Sequence, residues 1–489
     1  MLLPTNISVL AASLAKAGIS TRLFDTTLYR SEEKTFDEIK MDILQVKKFS
    51  YEGFVKTRPA DQMYQDLRDL VEEYKPDLIA VTLVQDTFPL AKDLLSPLRD
   101  TGIPVIAGGI FVTLNPMEVI GAEDIDMICV GEGEDALVEL CRRMQENSDI
   151  TRIKNIWVKK PDGTILRNEM RDPVNLDSLP FIDFDVYADE RKYRPMQGKI
   201  YMMLHVEADR GCPYDCTYCS SPELRQLYAK MGCRYYRRKT VPRLIAELEY
   251  LKKKYNPGYV DINAESFLAR PAGELEEFSR LYGERIGLPF WCQSRPENIS
   301  DDKIRFLKAA GCKNIQFGIE HGNEEFRRRM LRRTYTNEQV VKGIEIVEKY
   351  GIDYTINNML GFPEETRELF FDTVELNRQF RNPTTLNAYI FTPYRGTEIY
   401  TYCVDRGYID EKEKDPSHVR MIFGEIRMKN QPMTHDEILG LQRTFPLYAR
   451  FPREMFPEIR KAERLDEEGN RAYEDLKALF YEKIYKMKY

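Results

Sequence analysis

Gly211-Cys212-Pro213-Tyr214-Asp215-Cys216-Thr217-Tyr218-Cys219 places three cysteines on one short loop, with three residues and then two between them. Three thiolates on a tight loop can hold three irons of a cubane 4Fe-4S cluster. The fourth iron is then open to a small ligand, whereas ferredoxin-type sites close the cluster with a fourth cysteine. An open position is where chemistry can occur, as catalytic metals keep one and structural metals do not. Two other readings use the same residues. A structural zinc site would take its fourth ligand from His205 or Cys233, and an ordinary four-cysteine cluster would take it from Cys233.

The loop follows an apolar run at residues 202–207, the first of six strand-then-helix units. Further strands read at 259–263, 290–293, 314–318, 355–360 and 387–391, with helices such as 241–254, 301–310 and 337–350 between them. Six β/α units suit a partial barrel whose functional groups sit at the carboxyl ends of its strands. Upstream, residues 1–147 also alternate helix and strand. A helix at 7–17 leads to a short strand at 21–24, and apolar strands at 78–84, 104–107 and 125–130 are joined by helical crossovers. This pattern means a parallel sheet covered on both faces, with ligands bound at the strand carboxyl ends. Those ends are 82–86, 108–111 and 131–134. Residues 148–200 read as a hairpin (156–158 and 164–167) and a Pro- and Asp-rich linker.

Composition narrows the class. With 489 residues the chain is long enough for two or three domains, and 43% hydrophobic with 31% charged residues is ordinary for a globular protein. No apolar run reaches membrane-spanning length, and the N-terminus lacks the basic and apolar regions of a signal peptide. A cytoplasmic location follows as the expectation, since nine cysteines with such a triplet need reducing conditions. The net charge of −7 gives no electrostatic reason for nucleic-acid binding. Arg327, Arg328, Arg329, Arg332 and Arg333 read as a solvated helix end, and the amphipathic tail (Tyr473, Leu476, Phe480, Ile484) as a helix packed on the barrel.

The cysteine spacing, with an aromatic residue just before the last cysteine, resembles the signature of radical S-adenosylmethionine (SAM) enzymes. The N-terminal segment resembles the cobalamin-binding domain that precedes the radical core in one large class of them. The resemblance covers residues 1–400 and implies an α/β architecture. A Rossmann-like parallel sheet (1–147) would be followed by the hairpin and linker (148–200), a partial (β/α)6 TIM-like barrel (201–400) and a helical C-terminal extension (401–489). Two features depart from the class. Members usually begin with another strand before the first helix, and the N-terminal segment holds no histidine; the four are His205, His321, His418 and His435.

By this resemblance, Cys212, Cys216 and Cys219 carry the cluster. SAM is contacted by Tyr218 beside the adenine, Asn263 and Glu265 at the amino group, Ser294 and Arg295 at the carboxylate, Glu320 at the ribose and Gly361 under the adenine. Cobalamin is contacted by Thr82, Val84, Gln85, Gly108, Gly109, Gly131, Glu132 and Gly133, without a histidine axial ligand from this domain. The implied activity is methylation of an unactivated carbon of a small-molecule or lipid substrate. One SAM methylates the cobalt, a second yields a 5′-deoxyadenosyl radical, and methylcobalamin donates the methyl group. An electron donor such as flavodoxin or ferredoxin is implied. The alternatives are a cyclisation or rearrangement without net methyl transfer, a radical SAM enzyme with a vestigial cobalamin domain, and a metal-stabilised scaffold. Methylthiotransferase activity is disfavoured because the N-terminal segment offers only Cys129 and Cys141.

Overall fold

A computed structural model of the chain describes residues 3–410 and 428–487. The expected C-terminal extension therefore lies partly outside the described residues, as does His418. Helix α1 (Thr5–Lys16) opens the chain and packs on α2 (Glu134–Gln145). Beneath them run three parallel strands, β1 (Ile79–Thr82), β2 (Val105–Gly108) and β3 (Met127–Cys129). The alternation of side chains sorts their residues into two cores. Ile106 and Met127 face Leu14, Leu137 and Leu140, while Val105, Ala107 and Ile128 face Phe111, Val112 and Val119. Burial on both faces explains why β2 and β3 read as continuous apolar runs.

The hairpin β4 (Ile156–Lys159) and β5 (Ile165–Leu166) adds two antiparallel strands beyond β3, so it completes the first sheet. At the opposite edge stands β1, with Ala80 and Thr82 exposed. Residues 21–24, expected as a strand, are irregular. Among the described residues no strand lies beyond β1 to receive them, and a strand without a ladder partner leaves its backbone groups to water.

The second sheet has seven strands. β6 (Tyr193–Met196) runs antiparallel to β7 (Lys199–Glu207). Then β8 (Tyr259–Asn263), β9 (Phe290–Ser294), β10 (Cys312–Glu320), β11 (Asp353–Leu360) and β12 (Thr385–Ile390) follow in chain order, all parallel to β7. Helices α3 (Ser221–Ala229), α4 (Val241–Tyr255), α5 (Asp301–Ala310), α6 (Asn337–Lys349) and α7 (Arg367–Asn377) lie among the connections. Leu204, Val206, Val260, Ile262, Ile315, Phe317 and Ile356 face those helices in one core. Alternate positions turn inward, and they are polar: His205 beside Asp261, Gln293 beside Gln316, Asn357 beside Asn387. A closed barrel fills that space with branched apolar side chains; this half-barrel keeps a hydrogen-bonding lumen.

Helices α8 (His435–Arg450) and α9 (Glu467–Phe480) close the outside, with Phe445, Leu447, Tyr473, Leu476 and Phe480 buried in the barrel's own core. The apolar stripe of the tail is thus spent on packing. The arginine run is only partly a solvated helix end. Arg327 is fully buried, donating to the His321 and Tyr335 carbonyls at 2.7 and 2.6 Å, and Arg333 is 5% exposed. Among the described residues, no helix is long and apolar enough to cross a membrane.

Candidate active site

The cysteine loop leaves β7 at its carboxyl end. Gly211 makes the turn at φ +85°, and a Cβ there would come within 2.7 Å of the Tyr235 ring, so only glycine fits. From α3, Arg225 donates to the carbonyls of Cys212 and Tyr214 at 3.2 and 3.3 Å. The Thr217 hydroxyl donates to the Met330 carbonyl at 2.5 Å, and the Ile399 N–H donates to the Thr217 carbonyl at 3.1 Å. The loop is therefore held from three sides before any ligand arrives.

All three thiols are free. Burial pushes Cys212 up to about 12 and raises Cys219, so each would give up its proton to a metal rather than to water. Two sulfurs already receive donors. Arg295 Nη1 lies 3.1 Å from Cys216 Sγ, and the Ser221 N–H lies 3.5 Å from Cys219 Sγ. Such donors suit thiolate ligands and tune the metal behind them. Among the described residues no three His, Cys, Asp or Glu side chains stand close enough to share one ion. A cube differs, because each thiolate binds its own iron. The rival fourth ligands are engaged elsewhere. His205 Nδ1 is 2.5 Å from Asp261 in the lumen, and the Cys233 thiol donates to Asp172 at 3.3 Å. The donor set fits an open cluster.

Around the loop, the strand ends supply polar groups. Arg295 follows β9, its guanidinium 3.9 Å from the centroid of the Tyr214 ring and paired with Glu297 at 2.5 Å. Its Nε is buried with no partner. Ser294 shares a hydrogen bond with Ser266 at 3.0 Å, and Ser266 also accepts from the Arg295 N–H at 3.3 Å. Glu320, at the end of β10 in a left-handed conformation (φ +68°), accepts from the Tyr218 hydroxyl at 3.3 Å and pairs with Arg333 at 2.9 Å. Arg333 also donates to the Tyr218 hydroxyl, so Tyr218 of the cysteine loop is tied to the fourth parallel strand. Glu265 stays exposed just after β8, yet the protein packed about its carboxyl, and then the Glu207 carboxylate, raise it. Asn263 ends β8 and accepts through its carbonyl from the Ala208 N–H at 2.8 Å.

After β11, Gly361 turns at φ +81° and its N–H donates to Glu365 Oε2 at 2.5 Å, beside the Phe362 N–H at 3.0 Å. The other Glu365 oxygen lies 3.0 Å from His321 Nε2, and the Asn323 N–H points at His321 Nδ1 at 3.0 Å. That pattern assigns the His321 proton to Nε2. Sequence reading missed Arg333, His321 and Glu365 as organisers of this rim. Only His321 carries a local signal, standing between the strand-end Glu320 and Gly322; Arg333 follows a helix and Glu365 lies four residues past Gly361.

The first sheet presents its strand ends to the same space. Gly109, at φ +113°, brings its backbone so near Leu83 that a Cβ would sit 2.5 Å from the Leu83 carbonyl oxygen. At Gly108 a Cβ would meet only Cys129 Cβ, at 3.8 Å, and Val84, next to the Leu83 whose N–H bonds the Gly108 carbonyl at 2.8 Å, stands 45% exposed. Gly131 is packed by Met170 and Tyr228, and Gly133 by Leu10. A glycine ledge with an exposed apolar side chain fits a large flat ring such as a corrin. Three of the expected contact residues have their side chains committed within the protein. Thr82 accepts from Asn6 at 3.0 Å, and Gln85 accepts from the Arg395 N–H at 2.8 Å. Glu132 pairs with Arg237 and accepts from the Val174 N–H at 2.8 Å.

A half-barrel with three free cysteines after its first parallel strand, its rim facing the strand ends of a mainly parallel α/β sheet, defines a two-cofactor radical enzyme class. The chain belongs to the radical SAM superfamily and carries a B12 binding domain, the two family models matching residues 206–376 and 2–141. It is 24% identical to an uncharacterized methyltransferase of Pyrococcus horikoshii over 70% of this chain and 73% of that one. It is 23% identical to the anaerobic magnesium-protoporphyrin IX monomethyl ester cyclase of Rubrivivax gelatinosus over 81% and 70%. The fold matches the radical SAM methyltransferase TsrM of Kitasatospora setae, solved with cobalamin and a [4Fe-4S] cluster. The TM-score is 0.62 at 16% identity, covering 93% of this chain and 83% of that one.

Proposed function

We propose that the protein is a cobalamin-dependent radical SAM methyltransferase acting on an unactivated carbon of a small-molecule or lipid substrate. The observation that carries this reading is the meeting of the cysteine loop, with Arg295 on Cys216 and Tyr218 on Glu320, and the glycine ledge of the first sheet. When bound, the cluster supplies the electron that cleaves SAM to a 5′-deoxyadenosyl radical, and the corrinoid supplies the methyl group.

The chain's own residues hold and shield the reactants. Cys212, Cys216 and Cys219 are the cluster ligands. Arg295 offers its unpartnered Nε to the methionyl carboxylate in a charge-assisted bond. Glu265 and Asn263 face the amino group, and Glu320, held in place by Arg333, accepts from the ribose hydroxyls. Gly361, its turn set by Glu365, lies under the adenine. Gly108, Gly109, Gly131 and Gly133 seat the corrin, with no histidine from that domain beneath it. The substrate enters the polar lumen, where water is excluded from the radical. Free thiols throughout suit a reducing compartment, and a flavodoxin or ferredoxin serves as electron donor.

The test is anaerobic incubation with cobalamin, a reductant and methyl-labelled SAM. The reading requires 5′-deoxyadenosine and labelled product. Product without label supports instead a cyclisation or rearrangement, a second reading favoured by the similarity to the cyclase over 81% of this chain.

A further inference from the structure

Arg210 stands between the two sheets. Its Nη1 lies 3.2 Å from Glu132 Oε1 and its Nη2 2.7 Å from Glu134 Oε1. Its Nε and Nη2 donate to the two oxygens of Glu207 at 3.0 and 3.1 Å. One guanidinium therefore holds three carboxylates: Glu132 from the loop after β3, Glu134 from the first turn of α2 and Glu207 from the end of β7. All four side chains are at most 15% exposed. Arg237 adds a second grip, pairing with Glu132 and donating to the Val174 carbonyl at 2.5 Å. The residues that follow Arg210 are Gly211 and Cys212. Across the interface, Arg395 pairs with Glu118 at 2.6 Å and its N–H holds Gln85.

We propose that Arg210 is a positioning residue, a clasp that fixes the glycine ledge of the first sheet relative to the cysteine loop. It thereby sets the gap between the methyl donor and the site where the radical forms, which rests on the proposed reading of the ledge as the corrin side. Only a planar fork can reach three carboxylates in different directions; a lysine ammonium is a single point of charge. Without Arg210, Glu134 and Glu207 lose their cation in a poorly solvated seam where Glu132 keeps only Arg237, and repulsion opens it. The Arg395 strut persists, so the seam opens as a hinge and the sheets stay joined.

The test is hydrogen–deuterium exchange of the full chain, wild type against Arg210→Gln and Arg210→Lys, following peptides that cover residues 131–134 and 211–219. Both peptides should exchange faster together, by about tenfold in Arg210→Gln and less in Arg210→Lys, with peptides from β8 and β10 unchanged. Cobalamin retained through gel filtration should fall about tenfold in Arg210→Gln while iron content stays at the wild-type level. Unchanged exchange in either peptide overturns the proposal. Should Arg210→Gln fail to fold, the double variant Glu132→Gln/Glu134→Gln cuts the same clasp while sparing the Arg210–Glu207 pair. The same joint rise supports the clasp there, and its absence overturns it. Wild-type protein that binds no cobalamin yet shows the coupled exchange keeps the clasp and refutes the corrin reading.

Discussion

Arg295 donates to the sulfur of Cys216 at 3.1 Å while the face of its guanidinium lies against the ring of Tyr214, 3.9 Å from the centroid. One cation thus touches a sulfur of the cysteine loop while its Nε stays without a partner. A positive charge and a hydrogen bond at a cluster sulfur favour the reduced form. Arg295→Met should lower the midpoint potential of the reconstituted cluster by on the order of 50 mV, since about 1.4 kcal/mol corresponds to 59 mV for one electron. SAM affinity should fall roughly tenfold. Redox titration followed by EPR checks the first, and equilibrium binding the second; Arg295→Lys should shift the potential less.

Tyr218, Glu320 and Arg333 form one largely buried group, and their removal should not be equivalent. Arg333→Met leaves the Glu320 carboxylate without its cation and should cost about 3–5 kcal/mol in denaturant unfolding. Tyr218→Phe removes one hydroxyl and should cost about 1 kcal/mol. Equal losses from the two would contradict the ion pair at 2.9 Å as the dominant contact.

Two adjacent glycines separate folding from cofactor binding. Gly109→Ala forces a Cβ onto the Leu83 carbonyl at a positive φ, so it should destabilise the first sheet by about 2 kcal/mol or more. Gly108→Ala adds its methyl to the open side of the ledge. Stability should change by no more than about 0.5 kcal/mol, while cobalamin affinity drops about tenfold. Thermal melts and cobalt content distinguish the two.

His205 gives a pH signature. Burial first, against the partial compensation of Asp261, holds its imidazolium below the ordinary range. The unfolded histidine titrates near 6.5, so below about that pH the unfolded chain binds the extra proton and the folded chain resists it. Stability should be full above about pH 6.5 and fall as the pH drops towards the folded value, by at most about 1.4 kcal/mol per pH unit. His205→Gln should flatten that slope in unfolding midpoints measured between about pH 5 and 7.

Much of this was legible in the sequence because the signals are local. The cysteine spacing lies within one loop, and each barrel strand carries its own apolar run, four of them closing on Glu207, Ser294, Glu320 or Gly361. Contacts between distant segments left no such mark. Glu132 and Arg210 are separated by 78 positions, and Glu320 looks like any strand-end acid until Arg333 folds beneath it. Arg333 itself sits in an arginine run whose inward and outward members are indistinguishable by composition. The lumen was hidden for a related reason: alternation shows which side of a strand is apolar, but not whether its polar side meets solvent or the inside of a half-barrel. Residues 21–24 had the pattern of a strand and lacked a neighbour to pair with.

The most direct test of the central claim is iron content and 5′-deoxyadenosine formation in anaerobically reconstituted protein given SAM and dithionite. Wild type should hold about four irons per chain and cleave SAM, and the variant Cys212→Ala/Cys216→Ala/Cys219→Ala should lose both. A triple variant that keeps its iron and still yields 5′-deoxyadenosine would contradict the open cluster on which the reading depends.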